Sequence, residues 1–226
     1  WSDSTPVTAH DFEYTWKYQL NPANASPNHE LFFDIKNARA CYEGRAQLDD
    51  VGVRAHDDLT LVVELEAPVG HFLHLLSGIQ TFAIPRHAVE AHGPEWAAPA
   101  SIITNGPFRL AALETDRCLL VRNPDFHGRL TGNVSQVELT LCDPWTSEIE
   151  LKSYEAGASD WCEPISYEAF ELLERARQRY ASEFVELPGT GTALVSFNVA
   201  HPPFDDVRVR QAFVHAIDRV TMAEIS

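Results

Sequence analysis

The fold of this chain is decided by the stretch Phe197-Asn-Val-Ala-His-Pro-Pro-Phe-Asp-Asp-Val-Arg-Val-Arg-Gln-Ala-Phe-Val-His-Ala-Ile-Asp-Arg219. Its apolar start predicts a strand that ends at Asn198, and Pro202-Pro203 then forms a stiff corner. Either Asp205 or Asp206 is suited to cap a helix, because Asp accepts hydrogen bonds from the free N–H groups at a helix start. Apolar residues then recur at helical spacing, at Val209, Phe213 and Ala216. The stretch contains no catalytic motif.

The composition is that of a globular protein, with 45% hydrophobic and 22% charged residues in 226. This length suits one large domain or two smaller ones. No apolar run approaches the roughly 20 residues that cross a bilayer, so we expect no membrane insertion in this segment. The net charge of −16 argues against nucleic acid and anionic membrane surfaces as partners, because both attract a surplus of Lys and Arg.

Cysteine and histidine spacing predicts no metal site. None of the four cysteines forms a C-x-x-C pair, and their apolar neighbours predict mostly buried thiols. A disulfide between Cys118 and Cys142 stays open, because spacing does not decide it. Among the ten histidines, His71 and His74 share one face of a short helix, but nothing supplies a third ligand.

No catalytic residue and no cofactor is predicted. Asp57-Asp58 belongs to a turn, where Asp bonds to nearby backbone, and Glu148 and Glu150 point to different sides of one helix. There is no G-x-S-x-G nucleophile motif, and Gly189-Thr-Gly-Thr192 lacks the Lys of a phosphate-binding loop.

Periodicity predicts alternating helices and strands, with a change of character at residues 94–101, which are rich in Ala and Pro. Before that connection helices predominate, and strands predominate from Thr104 onward. The predicted helices cover residues 9–20 (capped by Thr8), 29–38, 71–76, 87–91, 145–156 and 166–181, and the predicted strands cover 51–54, 59–65, 108–113, 118–122, 134–141, 183–187 and 193–198. We therefore place a domain boundary near residues 101–104.

Several blocks resemble a known family, in its order and at roughly its spacing. They are Trp1-Ser-Asp-Ser-Thr-Pro-Val-Thr-Ala-His-Asp-Phe-Glu-Tyr-Thr-Trp16, Thr104-Asn-Gly-Pro-Phe-Arg-Leu110, Arg122-Asn-Pro-Asp-Phe-His-Gly128, Tyr154-Glu-Ala-Gly-Ala-Ser-Asp-Trp161 and the stretch quoted above. Together they resemble the family 5 solute-binding proteins of bacterial ABC importers, the oligopeptide- and dipeptide-binding group. Ser4 departs from the family's usual Gly, and Phe126 and His127 replace its usual aromatics.

The resemblance implies an α/β fold, the periplasmic-binding-protein-like (type II, cluster C) two-lobed clamp. Family members are longer, so the chain looks like a central fragment without the export signal and represents the clamp only in part. Residues 1–103 would be part of a smaller accessory lobe, 104–198 part of the main ligand-binding lobe, and 199–226 the hinge and the start of the opposing lobe.

The resemblance also implies a function: capture of a peptide or similar small solute, delivered to the permease subunits of an ABC importer. It implies a periplasmic or extracellular protein, lipid-anchored through an N-terminal part that this sequence lacks, and no enzymatic activity. The ligand-binding candidates are Phe32, Phe33, Trp161, Leu194, Ser196 and Asn198. Core packing is the alternative for the three aromatic residues. The family's anchors for a ligand's charged ends belong mostly to the opposing lobe and are not assigned here.

A ligand sensor and a hydrolase are the alternative functions. Similar domains are fused to DNA-binding or signalling domains in bacterial regulators, where the clamp would sense its ligand; the complete gene distinguishes the two, by a lipoprotein signal or by a DNA-binding domain. A hydrolase would need a converging catalytic set, which the sequence does not offer. The ligand itself stays open, because peptide, opine, sugar and metal-chelate binders share these motifs.

Overall fold

A computed structural model describes residues 1–129, 131–141, 146–162, 170–186 and 194–218. The chain divides into two compact units, Trp1–Leu141 and Cys142–Ser226. Around the predicted boundary, the Ser2 N–H donates to the Thr104 carbonyl at 2.7 Å and the Thr104 N–H donates to the Ser2 hydroxyl at 3.1 Å. These bonds lie within the first unit, and the three-part division into lobes stays a prediction.

The first unit is built on helix α1 (Ala9–Leu20), as predicted. The Thr8 N–H donates to the Asp11 carboxylate at 2.9 Å, so a residue of the first turn closes the helix start. The same buried carboxylate accepts the Trp1 indole N–H at 3.4 Å and the Arg86 backbone N–H at 3.4 Å. Asp11 therefore fastens two distant chain segments to α1.

The two strands predicted on either side of the Asp57-Asp58 turn are confirmed as β1 (Val53–Asp57) and β2 (Thr60–Val63), which pair antiparallel as a hairpin. The Asp57 carboxylate accepts the Leu59 N–H at 2.9 Å and stabilises the turn. The hairpin lies against α1, since the Ala55 N–H donates to Glu13 at 2.8 Å.

The predicted helix over 29–38 is wrong in its extent. A 3₁₀ helix covers His29–Phe32, and α2 begins only at Ala38 and ends at Tyr42. Between them Ile35 bridges to Leu65, and Asn37 has a φ of 60°, which no α-helix accepts. Pairing with a distant segment overrides the local helical pattern.

The core of the first unit surrounds Trp16, which is 3% exposed. Its ring centroid lies 5.7 Å from that of Phe32 and 6.4 Å from that of Phe72, and its indole N–H donates to the Thr81 carbonyl at 2.9 Å. Phe72 belongs to α3 (Phe72–Leu75). Helix α4 (Arg86–His92) is followed by Gly93, and both helices lie close to the predicted ranges. The other buried members of this cluster are Leu20, Ile35, Ala38, Cys41, Val51 and Val53.

Three strands complete the first unit: β3 (Phe108–Leu113), β4 (Arg117–Arg122) and β5 (Gln136–Thr140). They form an antiparallel sheet in the order β3-β4-β5, which confirms the strands predicted over 108–113, 118–122 and 134–141. At one end of the sheet, Asn123 is 2% exposed and its side-chain amide donates to the Gly106 carbonyl at 2.9 Å. Its backbone N–H donates to the Pro107 carbonyl at 2.9 Å, so one residue joins two of the family-like blocks.

The second unit contains helices α5 (Ser147–Glu155), α6 (Phe170–Arg179) and α7 (Val207–Ala216). The rings of Tyr154 and Tyr180 meet edge to face at 5.3 Å, and Arg179 pairs with Glu155 at 3.1 Å, which joins α5 to the end of α6. Just beyond α5, Gly157 has a left-handed conformation with a φ of 69°, which is typical of a helix end. The start of the helix predicted over 166–181, where Ser166 is the expected cap, lies outside the described residues.

The stretch quoted at the outset forms a proline corner and a helix, but its strand is absent among the described residues. The Pro202–Pro203 peptide bond is cis, and Asp206 caps α7 by accepting the Arg208 N–H at 2.8 Å. Three rings pack across the corner, those of Phe197, Phe204 and Phe213, with centroids 5.1–5.8 Å apart.

The strands predicted over 183–187 and 193–198 are wrong for the residues described there, 183–186 and 194–198. No described segment pairs with either of them. Apolar side chains alone do not make a strand, because its backbone groups need a neighbouring strand as partner.

The β1–β2 hairpin predicts the effect of one added methyl group. A Cβ at Gly52 would lie 2.7 Å from the Glu64 carbonyl oxygen and 2.9 Å from the Lys36 Cβ. We expect Gly52→Ala to lower the free energy of unfolding by about 1–3 kcal/mol, because the tightly bonded backbone must move. Gly70→Ala is the control, since nothing lies within 4 Å of its added Cβ. Urea unfolding compares the two, and equal stability would contradict the close approach.

Among the described residues, no helix combines the length and apolarity required to cross a membrane.

Candidate ligand-binding site

The two adjacent phenylalanines predicted to bind ligand lie in different environments of the first unit. Phe32 is 2% exposed and packs on Trp16, so its ring is part of the core. Phe33 is half-buried and lies at the edge of that core. Of the two, Phe33 has the ring that a ligand can reach.

Phe33 is the centre of a cluster that the sequence analysis missed. The His29 ring lies edge to face with it at 5.5 Å, and His29 stacks on Tyr42 with centroids 3.7 Å apart and an 8° angle between planes. The Arg39 guanidinium lies over the Phe33 ring, 4.3 Å from its centroid. We call these four residues the Phe33 cluster. The spacing of His29 and Phe33 was the available signal, but Arg39 and Tyr42 belong to α2, which begins after the left-handed Asn37.

The other four candidates belong to the second unit and are exposed. Trp161 is 66% exposed and Leu194 is 81% exposed, and Ser196 and Asn198 are also open to solvent. The Asn198 side-chain oxygen accepts the Ala200 N–H at 3.2 Å, which fixes the start of the proline corner. The assignment of all six residues to one ligand site stays a prediction.

The described cysteines and histidines form no metal cluster, because no three potential ligands converge among residues 1–129, 131–141, 146–162, 170–186 and 194–218. Cys41 is buried, whereas Cys118 and Cys162 are half-buried, and all three are free thiols. Only one of these three thiols thus matches the predicted burial, and Cys142 lies outside the described residues. His71 bonds to the Asp34 carboxylate at 2.7 Å.

The carboxylates weighed as acid–base candidates have structural partners. Asp57 holds the hairpin turn, and Glu148 pairs with Lys152 at 2.7 Å along α5. Hydrogen bonding by Lys152 lowers the pKa of the Glu148 carboxyl, and that by the Leu59 N–H lowers the pKa of Asp57. Lowered pKa values favour permanently ionised groups rather than proton donors at neutral pH.

A surface depression of about 580 Å³ lies along α1 and contains none of the predicted site residues. Its opposite charges are largely paired, since Lys17 bonds to Glu13 at 2.7 Å and Arg86 bonds to Glu90 at 2.7 Å. Its lining is formed by His10, Glu13, Tyr14, Lys17, Tyr18, Asn21, Asn24, Leu48, Asp49 and Arg86.

Glu13 predicts a pH dependence of stability. Burial alone would raise the pKa of its carboxyl, but hydrogen bonds from Lys17 and the Ala55 N–H outweigh burial and lower it. A lowered folded-state pKa stabilises the fold above the unfolded pKa of about 4.5, and this contribution is lost as the pH falls through the folded value. We expect Glu13→Gln to cost about 1 kcal/mol at pH 7 and progressively less below pH 4. Urea unfolding from pH 7 to below pH 4 measures this loss, with Glu95→Gln as the control because Glu95 is exposed. A loss of stability in Glu13→Gln that does not change with pH would contradict the prediction.

A family comparison covers almost the whole chain. Residues 1–225 match the family described as bacterial extracellular solute-binding proteins, family 5 Middle. Among curated relatives, the periplasmic oligopeptide-binding protein OppA of Salmonella typhimurium is 35% identical over 97% of this chain and 40% of its own length. The probable deoxycholate-binding periplasmic protein YgiS of Escherichia coli is 32% identical over 99% of this chain and 41% of its own length.

Solved structures of solute-binding proteins have a fold similar to that of this chain. The murein tripeptide-binding protein MppA of Escherichia coli aligns with 99% of this chain and 43% of its own, with a TM-score of 0.85 and 30% identity. OppA of Burkholderia pseudomallei aligns with 81% of this chain and 35% of its own, with a TM-score of 0.73 and 28% identity. The predicted α/β, periplasmic-binding-protein-like fold is thereby confirmed, for a chain that spans about two fifths of these relatives. The chain belongs to the bacterial extracellular solute-binding proteins of family 5.

Proposed function

We propose that this chain is part of the substrate-binding component of an ABC importer, which captures peptides and delivers them to the permease. The observation that carries this proposal is the 35% identity to an oligopeptide-binding protein across 97% of the chain. Other relatives support it, since they are named as dipeptide-binding and murein peptide-binding proteins. These names describe binding proteins rather than enzymes, so the proposed role involves no chemistry on the ligand.

The proposed mechanism is reversible closure of two lobes around the peptide. Residues 1–103 would belong to the accessory lobe, 104–198 to the main binding lobe and 199–226 to the hinge and opposing lobe. Leu194, Ser196 and Asn198 are exposed and lie in a segment unpaired among the described residues. Such a segment suits a peptide ligand, because it offers backbone groups to an extended backbone. Phe33 and Trp161 would contact ligand side chains.

The proposed location is periplasmic or extracellular, in line with the periplasmic relatives, with lipid anchoring as a further expectation. The permease is the proposed protein partner. The sensor alternative has no support among the named relatives, which are binding proteins of periplasmic or transport type.

The test is mass spectrometry of ligands released by denaturation from the complete gene product, followed by calorimetry with the compounds found. We expect short peptides that bind with micromolar affinity. Exclusive release of a bile acid, as the name of the YgiS relative suggests for that protein, would overturn the peptide assignment while leaving a binding role. No release and no binding of peptides or bile acids would overturn the function.

A further inference from the structure

We propose that Arg39, held over the ring of Phe33, binds a carboxylate of the peptide ligand and makes the protein prefer acidic peptides. This inference rests on the proposed peptide-binding function and on Phe33 as a ligand residue. It adds a chemical preference and a residue that the sequence analysis did not select.

The first support is the electrostatic state of Arg39. Two arginines of the first unit lie over aromatic rings, Arg39 over Phe33 and Arg86 over Tyr14. Arg86 is also paired with Glu90 at 2.7 Å, whereas Arg39 pairs with no carboxylate of the described residues. In a chain with a net charge of −16, an exposed guanidinium is thus fixed in place without being neutralised. Local charge of this kind attracts an anion despite the net charge.

Three carboxylates have other partners: Asp34 and Glu43, which are close to Arg39 in sequence, and Glu66, which contacts Asn37 just before α2. Asp34 bonds to His71 at 2.7 Å, and Glu43 pairs with Arg45. The Glu66 carboxylate accepts the Asn37 backbone N–H at 2.6 Å. These carboxylates are therefore already engaged, and a ligand carboxylate does not have to displace any of them from Arg39.

The second support is the way the chain fixes the helix that carries Arg39. Asn37, two residues earlier, has a left-handed φ of 60°, which costs free energy in a residue with a side chain. Two bonds hold it there, from its N–H to Glu66 and from its side-chain amide to the Asp50 carbonyl at 2.9 Å. The start of α2 is therefore anchored at a defined position beside Phe33.

The third support is the chemistry of the Phe33 cluster. A guanidinium over a ring keeps its N–H edge available for a two-pronged contact with a carboxylate. The ring of His29 is held beside Phe33, because its Nδ1 lies 2.6 Å from the Ser26 carbonyl, which only accepts, so Nδ1 carries a hydrogen and donates it there. Arg39 is therefore the member of the Phe33 cluster that is suited to bind a carboxylate.

The experiment uses the complete gene product and a randomised library of peptides of two to five residues. One half of the library has free carboxyl termini and the other half has amidated termini. Bound peptides are identified by mass spectrometry for wild type, Arg39→Gln and Arg39→Lys. The matched control is Arg45→Gln, which removes the same charge from an exposed arginine close to the end of α2 that is paired with Glu43.

We expect peptides with a carboxylate at one position to be enriched about tenfold or more among those bound by wild type, compared with those bound by Arg39→Gln. This factor corresponds to the loss of one charge-assisted contact. Enrichment in Asp and Glu peptides of both halves identifies a side-chain carboxylate, and enrichment only in the free-terminus half identifies the terminal one. Arg39→Lys should retain part of the preference, and Arg45→Gln all of it.

Three results would overturn the inference. One is peptide binding with an unchanged preference in Arg39→Gln, which leaves the proposed function intact. Another is an equal loss in Arg45→Gln, which would show a non-specific charge effect. The third is the absence of any bound peptide in wild type, which overturns the proposed function as well. Circular dichroism verifies that each variant is folded, and Phe33→Leu, which removes the ring but keeps the charge, should weaken the preference if Arg39→Gln does not fold.

Discussion

Expressed by itself, the 226-residue chain should bind peptides about a thousandfold more weakly than the complete gene product, if it binds them at all. The chain spans 40% of the length of the Salmonella typhimurium relative, and binding clefts bury most of a ligand's surface. A chain that covers one side of the ligand leaves the other side in water. Losing about half of the roughly 8 kcal/mol that corresponds to a micromolar complex moves the dissociation constant into the millimolar range.

Calorimetry of one peptide mixture against both proteins measures this difference. Comparable micromolar affinity would contradict the prediction, because the main anchors would then lie in these 226 residues. The isolated chain should also self-associate through exposed apolar side chains, among them Trp161 at 66% and Leu194 at 81% exposure. Sedimentation at several concentrations reports this, with Trp161→Ser expected to reduce it.

The largest effect on stability is expected from Trp16→Ala, which should lower the free energy of unfolding of the first unit by about 3–5 kcal/mol. Trp16 is 3% exposed, and its ring lies against Phe32 and Phe72 at the centre of the core. Its removal creates a cavity and leaves the Thr81 carbonyl without the indole donor. Calorimetric or urea unfolding measures the loss.

Two variants test the physical cause. Leu59 is 92% exposed, so Leu59→Ala should change stability by less than about 0.5 kcal/mol. Trp16→Phe keeps an aromatic ring but loses the bond to Thr81, so its cost should fall between the other two. If Trp16→Ala cost no more than Leu59→Ala, the assignment of Trp16 to the core would be wrong.

The elements that sequence predicted best are those specified by local signals. Helix α1 has the predicted limits because Thr8 and Asp11 close its start and Asn21-Pro22 follows its end. The β1–β2 hairpin follows from alternation around the Asp57-Asp58 turn. Both elements depend on residues that are close together in the sequence, so a sequence pattern is sufficient to predict them.

The errors have a common cause, which is dependence on distant partners. The helical pattern over 29–38 gives way because Ile35 bridges to Leu65 and Asn37 bonds to Glu66. For the site, no local rule separates Phe32 from Phe33, two identical residues of which one is core and the other half-buried. The contact between Arg39 and Phe33 was not predicted, because an arginine that packs over an aromatic ring has no characteristic sequence spacing.

The buried amide of Asn123 has a spectroscopic consequence. It joins the Thr104–Leu110 and Arg122–Gly128 blocks through the Gly106 and Pro107 carbonyls, and its side chain is closed off from solvent. An amide NH₂ held in this way exchanges its hydrogen with water only when the sheet end opens, unlike that of exposed Asn198. In a nuclear magnetic resonance spectrum, the hydrogen-exchange rate of the Asn123 side-chain amide would therefore report how often this end of the sheet opens.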